Sequence, residues 1–337
     1  MKIYVVIPNW NGAKQISACI DSLLAQTEKL GIIVVDNGSV DGSVKLIEDK
    51  YPLVTLIKHS RNKGFTGGVN AGIRYAIESG GKYIALLNND AVADKKWLEL
   101  LAKFMDSNPK IGIATGKIID SKKKFIDSTG EIYTTWGLAY PRGRGEEVGD
   151  KYDKSELVFG ASGAASLYRT KMLKEIGLFD KDFFAYYEDV DISFRAQLAG
   201  WKVGYQPGAI VYHAIGSTSS KIKDFTTYQT FKNYPWLLWK NVPLRLIPTI
   251  LPRFSLAYIA FFVSAMQRGQ GLSALKGSLV SLVLLPKKLV QRYRIQKHRK
   301  VTVEYINSII THDLPPNAHK LRNLRAKWWH LTRGVPK

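Results

Sequence analysis

Cysteine is nearly absent: Cys19 stands alone in 337 residues. That excludes an internal disulfide framework and any cysteine-rich metal cluster. Cys19 falls in a helical pattern beside Ile16, Ile20 and Leu23, so a small core side chain and a reducing compartment are expected. Long apolar runs are missing too. A spanning helix takes about 20 consecutive apolar residues, and the longest uncharged apolar run is Phe254 to Met266, between Arg253 and Arg268. The opening MKIYVVIPNWNG is too briefly apolar for a secretory signal, and Pro8 with Asn9 ends it like a strand. Acids are scarce in the last third. Residues 221–337 carry 21 Lys/Arg against Asp224, Glu304 and Asp313, a net +18, while residues 1–220 carry 28 basic and 25 acidic residues, a net +3. A near-neutral body thus joins a basic, apolar region suited to a polyanion or an anionic membrane surface. Internal repeats and low-complexity tracts are also lacking.

What is present suffices for a folded body. With 45% hydrophobic and 11% aromatic residues, the chain can bury a sizeable core as one large domain or two modest ones. KIYVVIP (2–8) precedes an amphipathic run from Gln15 to Gln26, then IIVVD (32–36). A helix over 41–49 leads to VTLIK (54–58), and a Gly-rich entry leads to a helix over 69–78 and then KYIALL (82–87). This βαβαβαβ succession predicts an α/β fold with a parallel sheet and helices on both faces. Ligands of such sheets bind outside the carboxyl ends of the strands. Three of those ends carry polar clusters: Asn9 with Asn11, Asp36-Asn37-Gly38-Ser39, and Asn88-Asn89-Asp90. Residues 111–170 read as shorter strands with Gly-rich turns, and 143–156 as a mobile loop. A helix is expected from Glu188 to Leu198, ended by Gly200, then strands at 202–206 and 209–213. Beyond Asp224, short apolar segments are broken by Pro235, Pro243, Pro248 and Pro252.

Each cluster has a plain explanation and a chemical one. Capping of the next helix by Asp41 or Ser39 accounts for half of VDNGSVDGS (35–43). The remaining carboxylate, Asp36, could accept from the imide N–H of a uracil or thymine ring. Tight helix–sheet packing explains Gly67, Gly68 and Gly72 of NKGFTGGVNAG (62–72), but not Asn62 and Asn70. Glycines before a helix also let backbone approach a phosphate, although this stretch has neither dinucleotide spacing nor P-loop spacing. ALLNNDA (85–91) ends in a turn or in a cation site, where Mg2+ or Mn2+ needs one or two carboxylates beside substrate phosphates. Glu188, Asp189 and Asp191 of FFAYYEDVDISFRAQLAGW (183–201) fall in a first helical turn, where the macrodipole favours acids. Three acids after an aromatic run exceed what a cap requires, and one beside an acceptor hydroxyl would be a general base. In YHAIGSTSS (212–220), His213 could complete a mixed oxygen/nitrogen metal site.

In this order, VVIPNWNG, VVDNGSVDGS, NKGFTGGVNAG, ALLNNDA, SGAASLYRTKMLKEIGLFDKDFFAYYEDVDISFRAQLAGW and YHAIGS resemble the family 2 inverting glycosyltransferases of the GT-A fold. The resemblance covers roughly residues 3–217, and the block around YYEDVD is most similar to the bacterial rhamnosyltransferase branch. It implies a metal-dependent transfer from a nucleotide-diphosphate sugar to a polyprenyl-diphosphate-linked or cell-surface saccharide. The family's Asp-x-Asp motif falls on Asn88-Asn89-Asp90, so Asp90 would bind Mg2+ or Mn2+, with Asn88 as a neutral neighbour and His213 as a further metal ligand. The Glu-Asp motif falls on Glu188-Asp189, making Asp189 the first choice for general base and Asp191 the second. Pro8, Asn9, Asn11, Asp36, Asn37, Ser39, Asn62, Gly64, Phe65, Gly68, Asn70, Asn88 and Asn89 map to the nucleotide sugar. Gly163, Ala164, Tyr187 and Trp201 map to the acceptor.

These implications divide the chain into a GT-A catalytic domain (1–220) and a basic helical region (221–337). The catalytic domain comprises a nucleotide-sugar half, about 1–120, and an acceptor half, about 121–220. In the C-terminal region, Trp236, Trp239, Phe261 and Phe262 lie among Lys240, Arg245, Arg253 and Arg268, a mixture suited to the headgroup level of a bilayer. PKKLVQRYRIQKHRK (286–300) adds a basic face for anionic lipid. The expectation is a peripheral, monotopic protein at the cytoplasmic face of the cell membrane, with no nucleic-acid partner. Two rivals come from other classes. A sugar-1-phosphate nucleotidyltransferase needs basic residues close after the first strand, and IPNWNGAKQ matches that poorly. A noncatalytic basic binding protein gives no reason for acids to gather at strand ends. The branch resemblance implies L-rhamnose from thymidine-diphosphate rhamnose as the first choice of donor, with uridine- or guanosine-diphosphate galactose, glucose or mannose left open.

Overall fold

The computed structural model describes residues 2–214 and 222–314. The first half alternates strands and helices: β1 (Ile3–Asn9), α1 (Ile16–Leu24), β2 (Leu30–Asp36), α2 (Ser43–Lys50), β3 (Thr55–Lys58), α3 (Gly64–Glu78), β4 (Tyr83–Leu87), β5 (Ala91–Ala93) and α4 (Trp97–Ser107). Shorter strands follow: β6 (Ile111–Asp120), β7 (Ile126–Ser128), β8 (Glu131–Tyr133), β9 (Ala139–Pro141), β10 (Glu156–Val158) and β11 (Ala165–Arg169). Next come α5 (Thr170–Ile176), α6 (Glu188–Leu198) and β12 (Lys202–His213). The C-terminal region is helical: α7 (Phe225–Asn241), α8 (Ile247–Gln267), α9 (Gly271–Val283), α10 (Leu285–Lys297) and α11 (Val303–Ile309).

The main sheet runs β10-β12-β6-β11-β4-β1-β2-β3, with β5 on β12 and β7 on β6. β3, β2, β1 and β4 are parallel throughout, as expected for a βα succession. Beyond β4 the sheet is mixed, because β11 enters antiparallel between β4 and β6. The central strands are continuously apolar because both faces are covered. Val5 and Ile7 join Val34, Ala85, Leu87 and Trp97 on one face, while Val6 joins Val35, Leu86, Val69 and Ile73 on the other. Cys19 is a fully buried core residue whose thiol donates to the Asn88 carbonyl at 3.4 Å.

Several boundaries differ from the sequence reading. α3 starts at Gly64 rather than Val69: its glycines are helical residues, and at Gly72 a Cβ would meet Val6 Cγ1 at 2.4 Å. The two strands expected over 202–213 are one, β12, with an irregularity between Gln206 and Ile210. Segment 143–156 is tied in rather than free, since Tyr152 is buried and its carbonyl accepts from the Tyr205 hydroxyl at 2.8 Å. Of the prolines expected to break this region, only Pro243 falls at a break, after α7 ends at Asn241. Pro248 sits in the first turn of α8, where the missing N–H is unneeded, and Pro235 and Pro252 lie inside α7 and α8. As a result Leu244–Gln267 is one helical stretch long and apolar enough to cross a membrane by length and composition, 22% buried.

The C-terminal helices share a core with the preceding α/β part. Tyr133, Phe159, Phe183, Val190 and Phe194 cluster with Trp236, Leu237, Leu238, Ile250 and Phe254. Trp236, expected at a headgroup level, is therefore fully buried, against Phe183 at 5.5 Å between ring centroids. Lys240 and Lys288 are likewise drawn inward as ion-pair partners of Asp180, Asp182 and Asp191, while Lys287 stays exposed and pairs with Asp182 from outside. The expected domain boundary near 220 falls at residues outside the described ones, as does the Gly-Ser-Thr-Ser turn after His213.

Candidate active site

The carboxyl ends of β1 and β4 open into a cleft of about 630 Å³. β1 is flanked by β2 on one side and β4 on the other, so the crevice sits where the strand order reverses. Asn9, buried at the end of β1, ties the three strand ends together. Its Nδ2 donates to Asp36 Oδ1 and Ser43 Oγ, both at 3.0 Å, and its Oδ1 accepts from Asn89 Nδ2 at 2.8 Å. Asp36 is 2% exposed, outside the cleft lining, and its other oxygen accepts from the backbone N–H groups of Gly38 and Ser39. The carboxylate therefore shapes the turn that presents Asn37. Asn37 lines the cleft; its Nδ2 donates to the Gly64 carbonyl at 3.1 Å, and its buried Oδ1 has no protein partner. Asn62 Oδ1 accepts from Gly64 N–H at 2.8 Å and fixes the entry to α3, placing Gly64 and Phe65 on the same wall.

Asp90 and His213, far apart in sequence, meet because β5 begins directly after Asp90 and pairs with the last residues of β12. His213 Nε2 lies 3.2 Å from Asp90 Oδ1 and 3.2 Å from Asn88 Nδ2. Its Nδ1 lies 2.8 Å from Asp127 Oδ2, and Asp127 is itself paired with Arg144. Burial opposes charge on the imidazole, but the hydrogen bonds to Asp127 and Asp90 carry His213 up to about 9. Among the described residues no group of three or more His, Cys, Asp or Glu is placed to hold a metal alone. One carboxylate and one imidazole converging on the cleft nevertheless fit a divalent cation whose other ligands are phosphate and water. Asp127 on the opposite ring nitrogen would orient His213 were it to hold such a cation.

The facing wall belongs to α6 and the loop before it. Asp189 Oδ2 accepts from Gly163 N–H at 2.9 Å, and Oδ1 from Val190 N–H at 2.8 Å. Burial raises Asp189 above the ordinary carboxylate range despite these bonds. Glu188 and Glu131 flank it in the same cleft, each raised by burial first and by the Asp189 charge second. Glu188 Oε2 is buried with no protein partner. Asp191 differs in kind: it is wholly buried and bound to Arg195, Lys240 and Asn241. Burial would raise it, but Lys240 and Arg195 outweigh that and hold it low. That corrects the second choice for a base, because Asp191 has no path to a substrate.

The cleft thus brings together Pro8, Asn9, Asn37, Asn62, Gly64, Phe65, Asn88, Asn89, Asp90, Gly163, Ala164, Tyr187, Glu188, Asp189 and His213. Asn11, Ser39, Gly68 and Asn70 stand behind its wall. Asn11 and Ser39 bond each other's loops, and Asn70 closes a two-bond pair with the Phe179 backbone. Trp201 is withdrawn from the acceptor side. It precedes β12, at the end opposite His213, and its indole donates to Glu175 at 3.0 Å. Sequence reasoning missed Asp127, Glu131 and Arg144. The first two flank the turn in IDSTGE, and two acids so close in a region of short strands were the available signal. Arg144 is the one Lys or Arg among the described residues lining the cleft.

The sequence profile of "Glycosyl transferase family 2" matches residues 4–177, just over half of the chain and ending before Glu188. The chain is 26% identical over 267 residues to an N-acetylglucosaminyl-diphospho-decaprenol L-rhamnosyltransferase of Mycobacterium tuberculosis, covering 72% of this chain and 87% of that protein. Among solved structures it shares its fold with S. aureus TarS 1-349 in complex with UDP-GlcNAc, at a TM-score of 0.56 and 19% identity over 88% of this chain and 91% of that one. The mannosyltransferase PcManGT from Pyrobaculum calidifontis, in complex with GDP-Man and Mn2+, matches at a TM-score of 0.50 and 16% identity, covering 98% and 81%. Sheet, cleft and profile agree: this chain belongs to glycosyl transferase family 2, and it is a glycosyltransferase.

Proposed function

We propose that the chain transfers a sugar, with inversion, from a nucleoside-diphosphate donor to a hydroxyl of a lipid-linked saccharide, with Asp189 as general base. The observation that carries this is the convergence of the Asp90–His213 pair and Asp189 on one cleft. Asp90 and His213 would hold Mn2+ or Mg2+, and a bound divalent cation stabilises negative charge on a departing diphosphate. Mixed oxygen and nitrogen donors favour Mn2+ of the two. Asn37 offers its unpartnered Oδ1 to a base N–H, a role the sequence reading gave to Asp36. Arg144, half-exposed on the cleft wall, is a cation toward diphosphate oxygens.

The acceptor side rests on Gly163, Ala164 and Tyr187. Gly163 fixes one Asp189 oxygen, so the carboxylate is oriented before an acceptor arrives. Asp189 takes the acceptor proton as its oxygen attacks the anomeric carbon, through a transition state of oxocarbenium character. Burial raises the Asp189 pKa, which makes its carboxylate a stronger base than that of an exposed aspartate. Likeness to the decaprenol-linked rhamnosyltransferase makes thymidine-diphosphate rhamnose the first donor to try and a polyprenyl-diphosphate saccharide the first acceptor. Uridine- and guanosine-diphosphate hexoses are the second reading, favoured by the donors of TarS and PcManGT. A thermal-shift screen of these donors with Mn2+ decides between them. No shift with any sugar nucleotide, with or without metal, would contradict the proposal.

Membrane attachment is proposed on the outer faces of α8 and α9. Leu256, Ile259, Val263 and Met266 form one exposed stripe, and Leu272, Leu275, Leu279 and Leu282 form a second. Arg253, Arg268 and Lys276 lie exposed beside them, a pairing of apolar and basic surface suited to an anionic bilayer. Replacing Ile259 and Leu279 by Glu should abolish co-flotation with anionic vesicles. Flotation equal to the unaltered chain would contradict it.

A further inference from the structure

We propose that Asn233, on the C-terminal helix α7, is a positioning residue for the reaction, holding in shape the strained loop that presents Asp189. The inference rests on Asp189 being the base. The loop is Phe183 to Tyr187, and three of its non-glycine residues have positive φ: Phe184 at 66°, Tyr186 at 69° and Tyr187 at 68°. Ala185 N–H bonds back to the Phe183 carbonyl at 2.8 Å, closing a three-residue turn about Phe184 (ψ −62°), a geometry L-residues adopt rarely. Such strain persists only where surrounding structure over-determines it.

Every carbonyl from 182 to 186 is held from outside the loop. Asn233 Nδ2 lies 3.1 Å from the Phe183 oxygen, 3.0 Å from that of Ala185 and 2.8 Å from that of Tyr186. Lys232 Nζ donates to the carbonyls of Asp182 and Phe183, and Thr66 N–H, on α3, to that of Phe184. Asn233 is wholly buried and its Oδ1 has no protein partner. The molecule thus tolerates an unsatisfied amide oxygen in order to aim N–H donors at the loop. The same helix also grips the far side of the base, through Lys240 and Asn241 on Asp191. Asp189 is bracketed by α7 on both sides. α7 in turn is seated tightly on α9, where a Cβ on Gly277 would meet the Tyr228 carbonyl at 2.4 Å.

Asn233→Asp tests this, since it keeps size and shape but sets a carboxylate against carbonyl oxygens; Asn233→Ala removes the donors without adding charge. Transfer is measured alongside donor affinity by calorimetry and the low-pH limb of kcat. Groups that face Asp189 are Glu188 on α6, Glu131 on β8, Arg144 after β9, Tyr168 on β11 and Tyr187 before α6, and both variants leave all of them in place. The expected result is a kcat at least 30-fold lower in both variants, with donor affinity within 3-fold. The low-pH limb should also move to lower pH as water reaches the carboxylate. The proposal is overturned by a kcat within 3-fold of the unaltered chain, by donor binding lost in step with kcat, or by a limb that stays in place. Asp189→Asn separates the two ideas. If it still transfers, the base assignment fails; if it is inactive while Asn233→Asp retains kcat and limb, only the positioning role fails.

Discussion

The proposed donor wall stands on the carboxyl ends of β1, β2 and β4, while the base wall hangs from a loop pinned by helices more than forty residues further along the chain. The donor wall needs little outside help: Asn9 links Asp36 at the end of β2, Ser43 at the start of α2 and Asn89 just after β4. The base wall has strained backbone, buried carboxylates and a borrowed clamp. Binding a common nucleotide diphosphate calls for a rigid, reusable cradle, whereas delivering a base to a particular acceptor calls for a carboxylate tuned by its surroundings. On the proposed roles, the second task draws on the C-terminal region, which shares a core with the α/β part and carries a candidate membrane face.

This contrast can be broken most severely at Asp189. Asn in its place should lower transfer about 1,000-fold, within the usual range for a general base, while an assay retaining a tenth of the activity would remove Asp189 from the role. The pH profile belongs to the same residue. Its active form is the carboxylate, and burial raises it, so kcat should fall as pH drops through a value above the ordinary Asp range of about 4. On the donor wall, Asp90→Ala should cost about 100- to 1,000-fold in transfer and abolish the Mn2+-dependent thermal shift. A donor-induced shift that still needs Mn2+ would place the cation elsewhere.

Asp127→Asn probes the support beneath that wall. It keeps the side chain's shape but weakens its grip on His213 Nδ1, so Mn2+ affinity should fall about 10- to 100-fold with kcat at saturating metal nearly restored. Asp191→Asn should have the smallest effect on transfer per folded molecule, within about 3-fold, and a large effect on stability. Breaking one partner of a buried ion pair costs about 3–5 kcal/mol, to be read from urea midpoints. The sign with pH follows from its depressed pKa. The stabilisation from Asp191 is complete above the unfolded value of about 4 and is lost as pH falls toward the lower folded one.

How much of this was legible depends on whether the deciding contact was local. The βα alternation of 2–87 and the helix Glu188–Leu198 followed from periodicity and caps, and Asp90 stood out as an acid at the end of an apolar strand. Asp189 and Asp191 are two residues apart in one first turn, and nothing local separates a carboxylate that lines the cleft from one that anchors the helix. Lys240 and Asn241, from α7, decide it. Trp236 misled for the same reason: an aromatic beside lysines reads as interfacial until Phe183 and the Ser281 carbonyl enclose it. Asp127 and Glu131 gained meaning only when β7 and β8 folded toward His213 and Asp189. Prolines 248 and 252 looked like breaks because each removes a donor, yet Pro248 sits where that donor is unneeded.

The division of labour between the walls is tested most directly by calorimetric titration of one donor, with and without Mn2+, into the unaltered chain, Asp90→Ala and Asp189→Asn. The account predicts that Asp189→Asn binds donor with unchanged affinity and unchanged Mn2+ dependence while transferring nothing, and that Asp90→Ala loses the Mn2+-dependent part of binding. Loss of donor affinity in Asp189→Asn, or intact Mn2+-dependent binding in Asp90→Ala, would contradict it.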